Sequence, residues 1–400
     1  MADTNRWRAF AAAFLGWMLD GYDFTILTLV LIEVQQELSM TSAQAGALGT
    51  VTLLTRLVGG AIGGRAADRW GRKTPLVISI VWFSIFSLLS GFSTSYWWLF
   101  LFRALFGLGM GAEWAAGMPL VLEHWPERLR GVISGIVQGA FSWGFILAAA
   151  VVQFAYPYVT HAPWGWRAML WSGVLPALLV LWVRRSVPES PVWLAGKAAR
   201  PADAPTTGAP GIGFPLWPAL LLGAVMFAYQ SVSFWYGTLI RAEGHSPLIY
   251  VAALNLGGIA GAAVWGAVAG TRLGPAGAIA TGGIIAIASL PIFVMSTEAI
   301  GLLVAVTAMG FAVGGVIGVA PVYIANRFPQ ERRGWGGGVV YHSAAAVGAA
   351  APLVIGALHD GGWMLRDAMS LCAAGATLAA IAMAVRERYL FPRVMLKKPV

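Results

Sequence analysis

Two carboxylates, Asp20 and Asp23, stand three residues apart in the stretch Leu19-Asp20-Gly21-Tyr22-Asp23-Phe24, near the middle of an apolar run over 9–32. A carboxylate at the centre of a bilayer costs about 2.5–3.5 kcal/mol on insertion scales, so a chain that keeps two of them there uses them. Their spacing puts both on one face of a helix. Three further charges, Arg56, Arg103 and Glu113, also fall inside apolar runs. Three acids against two bases leave one carboxylate unmatched when all are ionised, and one proton restores the balance. An anionic ligand bound among them would add negative charge, which makes taking up a proton with it the cheaper arrangement. These residue types therefore point to proton carriage. Asp20 or Glu113 is the carrier, and Arg56 is a second partner or a ligand for a carboxylate. Plainer roles stay open beside these. Arg56 can snorkel towards the nearby loop, Glu113 can neutralise a neighbouring helix, and both aspartates can be structural.

The elements that must hold these charges are membrane spans. Hydrophobic residues make up 58% and charged residues 11% of the 400 positions, and the mean hydropathy is +0.73; a soluble chain carries about 25% charged residues. Twelve apolar segments can be marked, over 9–32, 43–63, 75–94, 97–120, 131–153, 168–184, 217–240, 249–270, 276–296, 299–324, 335–357 and 364–385. Each has about the length needed to cross the hydrocarbon. An even count puts both termini on one side. Of the 26 Lys and Arg residues, 21 fall on the side of the termini, whereas Arg167, Arg241 and Arg366 fall opposite. The positive-inside rule then makes the termini cytoplasmic. The net charge of +9 is explained by these loops, and no nucleic-acid partner is expected. No cleavable signal peptide is expected either, because the first apolar run is too long and contains the aspartates. The single Cys372 excludes an internal disulfide and a Cys-rich metal site. No nucleotide-binding loop, metal constellation or nucleophile–base pair is evident, so neither an enzyme nor a cofactor or metal is expected.

Between the sixth and seventh segments the chain turns polar and rich in Pro, Ala and Thr, which marks 186–215 as a linker. The parts on either side, 1–185 and 216–400, resemble each other. Pro126-Glu127-Arg128-Leu129-Arg130-Gly131 follows the fourth segment, and Pro329-Gln330-Glu331-Arg332-Arg333-Gly334 follows the tenth. Gly107, Gly109 and Gly111 have counterparts in Gly310, Gly314 and Gly315. A duplicated six-span unit suggests a transporter of two repeats with a site between them.

The loop Gly64-Arg65-Ala66-Ala67-Asp68-Arg69-Trp70-Gly71-Arg72-Lys73 resembles the loop signature of the major facilitator superfamily. Gly64, Asp68, Arg69, Gly71 and Arg72 would then form a cytoplasmic gate motif. The copy after the eighth segment, Thr271-Arg272-Leu273-Gly274, has lost the acid. The run from Arg103 through Gly107, Gly109 and Gly111 resembles the superfamily's fourth-span signature. Gly21-Tyr22-Asp23 resembles the first-span motif of sugar porters, which implies that Asp23 pairs with Arg103 and that Asp20 is the extra acid. Pro188-Glu189-Ser190-Pro191 resembles a further sugar-porter loop. More narrowly, Trp7-Arg8-Ala9-Phe10, the two-aspartate stretch, Glu33-Val34-Gln35, Trp125-Pro126 and Trp166-Arg167-Ala168 resemble the sialic acid:proton symporters. The two-aspartate pattern also resembles aromatic-acid:proton symporters and, less closely, lactate permeases. The linker lacks room for the extra central spans of some sialic acid transporters. The seventh segment lacks the His-and-Asp signature of fungal lactate permeases.

The C-terminal part offers polar and aromatic groups in place of charge: Tyr229, Gln230 and Ser233 in the seventh segment, Asn255 in the eighth, and Tyr341 and His342 in the eleventh. A hydroxylated ligand needs such donors and acceptors beside aromatic platforms. His342 can titrate near neutral pH or serve in packing. Gln138 and Trp143 of the fifth segment are further candidates by polarity and position. The resemblance implies an all-α integral membrane protein of twelve transmembrane helices in two six-helix bundles related by a pseudo-twofold axis. It implies a monomer of the bacterial inner membrane that imports a small organic anion with protons. Sialic acid is the first choice, followed by a lactate-like monocarboxylate or an aromatic acid. A proton-driven efflux antiporter is disfavoured because Gly139-Ala140-Phe141-Ser142-Trp143-Gly144 lacks the proline of the antiporter pattern. A non-transporting sensor is disfavoured by the intact signatures and the buried charges.

Overall fold

The computed structural model describes residues 2–199, 216–296, 298–325, 327 and 333–390. The helices are α1 (Ala2–Leu29), α2 (Leu31–Glu37), α3 (Ser42–Trp70), α4 (Lys73–Ser90), α5 (Tyr96–His124), α6 (Glu127–Phe154), α7 (Gly165–Trp171), α8 (Pro176–Ser186) and α9 (Pro191–Ala199). They continue with α10 (Leu216–Ala242), α11 (Pro247–Ala269), α12 (Gly274–Met295), α13 (Ala299–Met309), α14 (Ala320–Ala325), α15 (Arg333–Gly348), α16 (Ala351–Asp360) and α17 (Leu365–Leu390). Among the described residues no strand occurs. Most of the expected linker, the C-terminal tail from 391, and 329–332 of the second Pro-Gln-Glu-Arg-Arg-Gly copy lie outside the described residues.

Among the described residues, ten helical runs are long and apolar enough to cross a membrane: α3, α4, α5, α6, α10, α11, α12, α13 with α14, α15 with α16, and α17. An eleventh is α1 with α2, bent by 53°. The sixth expected segment, 168–184, is broken into α7 and α8 around the 3-10 turn Ser172–Val174. Proline at the head of α8 has no N–H to continue a ladder from α7.

The chain divides into two compact units: 1–24, 54–144 and 159–214 form the first, and 25–53, 145–158 and 215–400 form the second. In unit one, α1, α5 and α6 share an apolar core of Ala13, Met118, Val121, Trp125, Ile133 and Val137. The core of unit two gathers Leu222, Trp265, Ile279, Val316, Tyr323 and Ala380, among others.

The α1–α2 bend has an identifiable cause and consequence within unit two. The Thr28 hydroxyl donates back to the Thr25 carbonyl at 2.8 Å, a local bond that competes with the helix ladder and bends it. The carbonyls freed at the bend are taken by α10. Thr238 Oγ1 donates to the Thr28 carbonyl at 2.7 Å, and Arg241 Nη1 donates to that of Leu29. Arg241 also grips Glu33 of α2 with both ends of its fork, at 2.9 and 2.6 Å, the bidentate geometry that makes such pairs strong. At the same end, Asp360 accepts from the main-chain N–H groups of Ser42 and Ala43 at 2.8 and 2.7 Å. It thereby caps α3 from 318 residues away. Gly46 lies so near the Pro352 carbonyl that a Cβ would be 2.1 Å from it. On the other side of α10, Glu243 pairs with Arg366 at the head of α17. The lone charges Glu33, Arg241 and Asp360 thus form a clamp that joins the ends of α2 and α3 to α10 and α16.

Candidate functional site

Glycines decide which side chains meet in unit one. A Cβ on Gly21 would stand 2.4 Å from the Phe141 carbonyl, and one on Gly144 would stand 2.0 Å from that of Met18. The backbones of α1 and α6 therefore touch beside the two aspartates. Likewise a Cβ on Gly59 would meet the Leu108 carbonyl at 1.9 Å, and one on Gly111 would meet the Arg56 carbonyl at 1.9 Å. This close approach of α3 and α5 sets Arg56 and Glu113 on neighbouring helices at one depth. The same packing recurs in unit two, where Gly310 abuts the Leu254 carbonyl and Gly261 that of Phe311.

Asp20 and Asp23 are fully buried, and Glu113 and Arg103 are 1% exposed. The charges separate into two groups. Arg103 Nη1 donates to the main-chain carbonyl of Asp23 at 3.2 Å, and its charge acts on the Asp23 carboxylate. The resemblance implied that Asp23 pairs with Arg103, and the structure brings the two residues together, with this hydrogen bond made to the Asp23 backbone. Asp20 feels Glu113, Arg56 and Asp23, and Glu113 feels Arg56. The surplus negative charge thus belongs to the trio Asp20, Glu113 and Arg56. Neither oxygen of Asp20 has a hydrogen-bond partner among the described residues, and neither does Oε2 of Glu113. The Tyr22 hydroxyl meets Ser172 Oγ at 2.5 Å, which ties α1 to the turn after α7. Gly173 in that turn leaves room for Ser87 and Asp23.

Arg56 is partly exposed, and its guanidinium lies 4.5 Å from the Trp17 ring centroid and 5.7 Å from that of Phe141. Trp17 also neighbours Trp114 and Phe141, at 6.4 and 5.2 Å between centroids. Gln138 accepts from Trp114 Nε1 at 3.1 Å and so belongs to this cluster. Trp143 does not. It lies about 200° round α6 from Phe141 and is 47% exposed. Trp143, chosen by polarity and position, therefore stands apart from this cluster, and Phe141, within it, was not singled out as a candidate.

In unit two, Ser233 Oγ donates to Gln230 Oε1 at 2.8 Å, and Tyr229 stands near Ser233 and Tyr341. These four therefore cluster. Asn255 is buried and donates to the Val251 carbonyl of its own helix at 2.9 Å. His342 stands beside Tyr341, with 5.8 Å between the rings. A π-helical turn, Gly310–Gly314, passes Tyr229, whose ring is 3.4 Å from where a Gly314 Cβ would sit. Such turns recur at functional sites.

The loop after α3 is organised by Asp68 at the end of α3, Glu123 of α5 and Glu189 between α8 and α9, all in unit one. Arg72 bonds Asp68 at 2.6 Å and Glu123 of α5 at 3.2 Å. Glu189 accepts from the main-chain N–H of Arg72 at 2.8 Å and of Lys73 at 3.2 Å, capping α4. Ser190 Oγ donates to Glu123, and Trp193 Nε1 to the Asp68 carbonyl at 2.9 Å. Burial works against the Arg72 charge, but hydrogen bonds and charge from Asp68 and Glu123 outweigh it and hold the guanidinium above its ordinary range. Gly64 packs loosely against Ala115, and Arg69 is exposed. Gly71 has φ +95°, and a Cβ there would stand 2.2 Å from Glu189 Oε2. Gly71→Ala should cost about 1–2 kcal/mol from the left-handed backbone and should also push Glu189 off its cap. The expected result is a lower unfolding midpoint of the detergent-purified protein; an unchanged midpoint would contradict the cap. Among the described residues, no group of three His, Cys, Asp or Glu could hold a metal ion.

The sequence profile of the Major Facilitator Superfamily matches residues 13–352. The chain belongs to the major facilitator superfamily. It is 30% identical over 354 residues to the sialic acid transporter NanX of Escherichia coli (strain K12), covering 87% of this chain and 86% of that protein. It is 29% identical over 374 residues to the cis,cis-muconate transport protein of Acinetobacter baylyi (strain ATCC 33305 / BD413 / ADP1), covering 90% and 89%. Its fold is similar to that of the proton:xylose symporter XylE of E. coli, with a TM-score of 0.77 at 19% identity over 98% of this chain and 96% of that one. Members of the superfamily move small molecules across membranes, and this chain is an integral membrane transporter. In this member the loop after α3 draws on Glu123 and Glu189, and Trp17, Trp114 and Phe141 cluster beside Arg56. Of the two acids and three rings, the sequence singled out only Glu189, inside a loop motif.

Proposed function

We propose that the protein is a proton-coupled symporter that imports a small organic anion by alternating access. It would act as a monomer in the bacterial inner membrane with both termini cytoplasmic. Two bundles, 1–185 and 216–400, joined by the linker 186–215, would expose the site to each side in turn. The observation that carries this reading is the trio Asp20, Glu113 and Arg56: two buried acids share one arginine. With both acids ionised the trio has net charge −1, which a proton cancels. When an anion's carboxylate takes Arg56, the negative charge grows again and a proton must accompany it. Unit two has its own donors and acceptors for a ligand in Tyr229, Gln230, Ser233 and Tyr341, with Asn255 and His342. Relatives that carry sialic acid and muconate support an organic anion as cargo. Sialic acid, lactate-like monocarboxylates and aromatic acids are the classes to test.

Reconstituted liposomes decide between import by symport and the rival, efflux by antiport. Uptake of labelled sialic acid, lactate or an aromatic acid should rise several-fold with an inward proton gradient and fall to the protein-free level without the protein. Uptake indifferent to the gradient would sink symport, and outward movement of cationic drugs would favour the rival.

A further inference from the structure

We propose that Arg56 and Phe141, backed by the buried Trp17, form a recognition face for planar carboxylates, and that flat, unsaturated acids are preferred over puckered or polyhydroxylated ones. This rests on the symport reading and names the substrate class of the same site. The guanidinium of Arg56 lies over two aromatic rings. The two ring centroids are only 5.2 Å apart, so both rings lie to one side of the guanidinium, and the fork of N–H donors that matches a carboxylate is left on the other. Arg56 forms no ion pair with Asp20 or Glu113, though its charge acts on both, so neither acid occupies that fork. Arg56, Trp114, Gln138 and Phe141 are all partly exposed, whereas Asp20, Glu113 and Trp17 are buried behind them. The open surface is therefore one cationic edge set in aromatic rings.

The rings are tilted against each other, with 41° between Trp17 and Phe141 and 47° between Trp17 and Trp114. Phe24 extends the wall, 6.4 Å from Phe141. A flat π-system can enter such a wall in offset or edge contact. Gln138, the amide beside these rings, already accepts from Trp114 Nε1. A sugar acid with its carboxylate on Arg56 would turn hydroxyls towards indole and phenyl faces, and each hydroxyl stripped of water without a partner weakens binding. A planar acid meets the same wall with no such loss.

The test uses the full-length protein in liposomes with an inward proton gradient and labelled 4-hydroxybenzoate as cargo, with protein-free liposomes to subtract leak. Competitors are unlabelled 4-hydroxybenzoate, 4-hydroxycyclohexanecarboxylate, 4-hydroxybenzamide and N-acetylneuraminate. The first two share skeleton and charge but differ in flatness, and the third keeps the ring but loses the charge. The flat acid should compete at about a tenfold lower concentration than its puckered counterpart, with the amide and the sugar acid weaker still. In Phe141→Leu the ratio between flat and puckered acids should fall to about twofold through a raised KM with kcat retained. Phe141→Tyr should keep the wild-type ratio. Equal competition by flat and puckered acids, or proton-driven uptake of N-acetylneuraminate that 4-hydroxybenzoate does not inhibit, would overturn the proposal while leaving symport standing. If none of these anions nor lactate moves with the gradient, symport itself fails and the proposal with it.

Discussion

Liposomes carrying the Asp20→Asn protein should no longer concentrate substrate against a gradient, while still exchanging labelled for unlabelled substrate across the membrane. Asn keeps the shape of the protonated acid but cannot release a proton. Asp20 is fully buried, and its oxygens have no hydrogen-bond partner among the described residues. Removing its charge therefore breaks no bond on which the fold depends. The trio is then permanently balanced, with Glu113 opposite Arg56, and substrate enters and leaves with no proton. One proton carried with each monoanion concentrates it about tenfold per pH unit of gradient. The variant should level off near equal concentrations inside and out. Glu113→Gln separates the two candidate carriers. If Asp20→Asn still accumulates substrate and Glu113→Gln does not, Glu113 is the carrier. If both still accumulate it, proton coupling lies outside the trio.

Breaking the clamp in unit two should open the protein on the side away from the termini. In Arg241→Ala with Asp360→Ala, the bidentate grip on Glu33, the cover over the Leu29 carbonyl and the cap on α3 are all lost. A bidentate pair and a helix cap are each worth about 1 kcal/mol. Together they shift a two-state population on the order of tenfold or more. A cysteine at Thr238, a site 5% exposed, reports the change once Cys372, the one native cysteine, is replaced by Ser. A membrane-impermeant maleimide added outside intact cells should label it about tenfold faster in the double variant. Equal rates in both backgrounds would show that the clamp does not hold this side shut.

The spans and the buried charges were legible because hydrocarbon penalises charge wherever it falls in the chain. Asp20, Asp23, Arg56, Arg103 and Glu113 stand out against their apolar neighbours on that ground alone. The aromatic wall carried no such contrast: in an apolar segment Trp17, Trp114 and Phe141 look like any residue facing lipid. Only the packing of these rings against one another and of Trp17 and Phe141 against Arg56 shows that they form one cluster. Helical phase explains the exchange of Phe141 for Trp143, since two residues along α6 turn the side chain away. The sixth segment reads as one apolar run yet breaks at Pro176 and the turn before it, because hydropathy does not sense a missing N–H. Glu123 and Asp360 were passed over, and Glu33 entered only inside a motif, because their partners lie far off in the chain. Asp360, for example, caps a helix that begins 318 residues earlier.

The central claim is that a proton crosses with the anion, and the most direct test is to watch the proton. Liposomes containing the protein and a trapped pH indicator, with no imposed gradient, receive external 4-hydroxybenzoate. Symport predicts that the lumen acidifies beyond the protein-free leak, that it acidifies in proportion to the anion taken up, and that the excess vanishes in Asp20→Asn. Protein-dependent entry of the anion with the luminal pH unchanged, or rising, would contradict it.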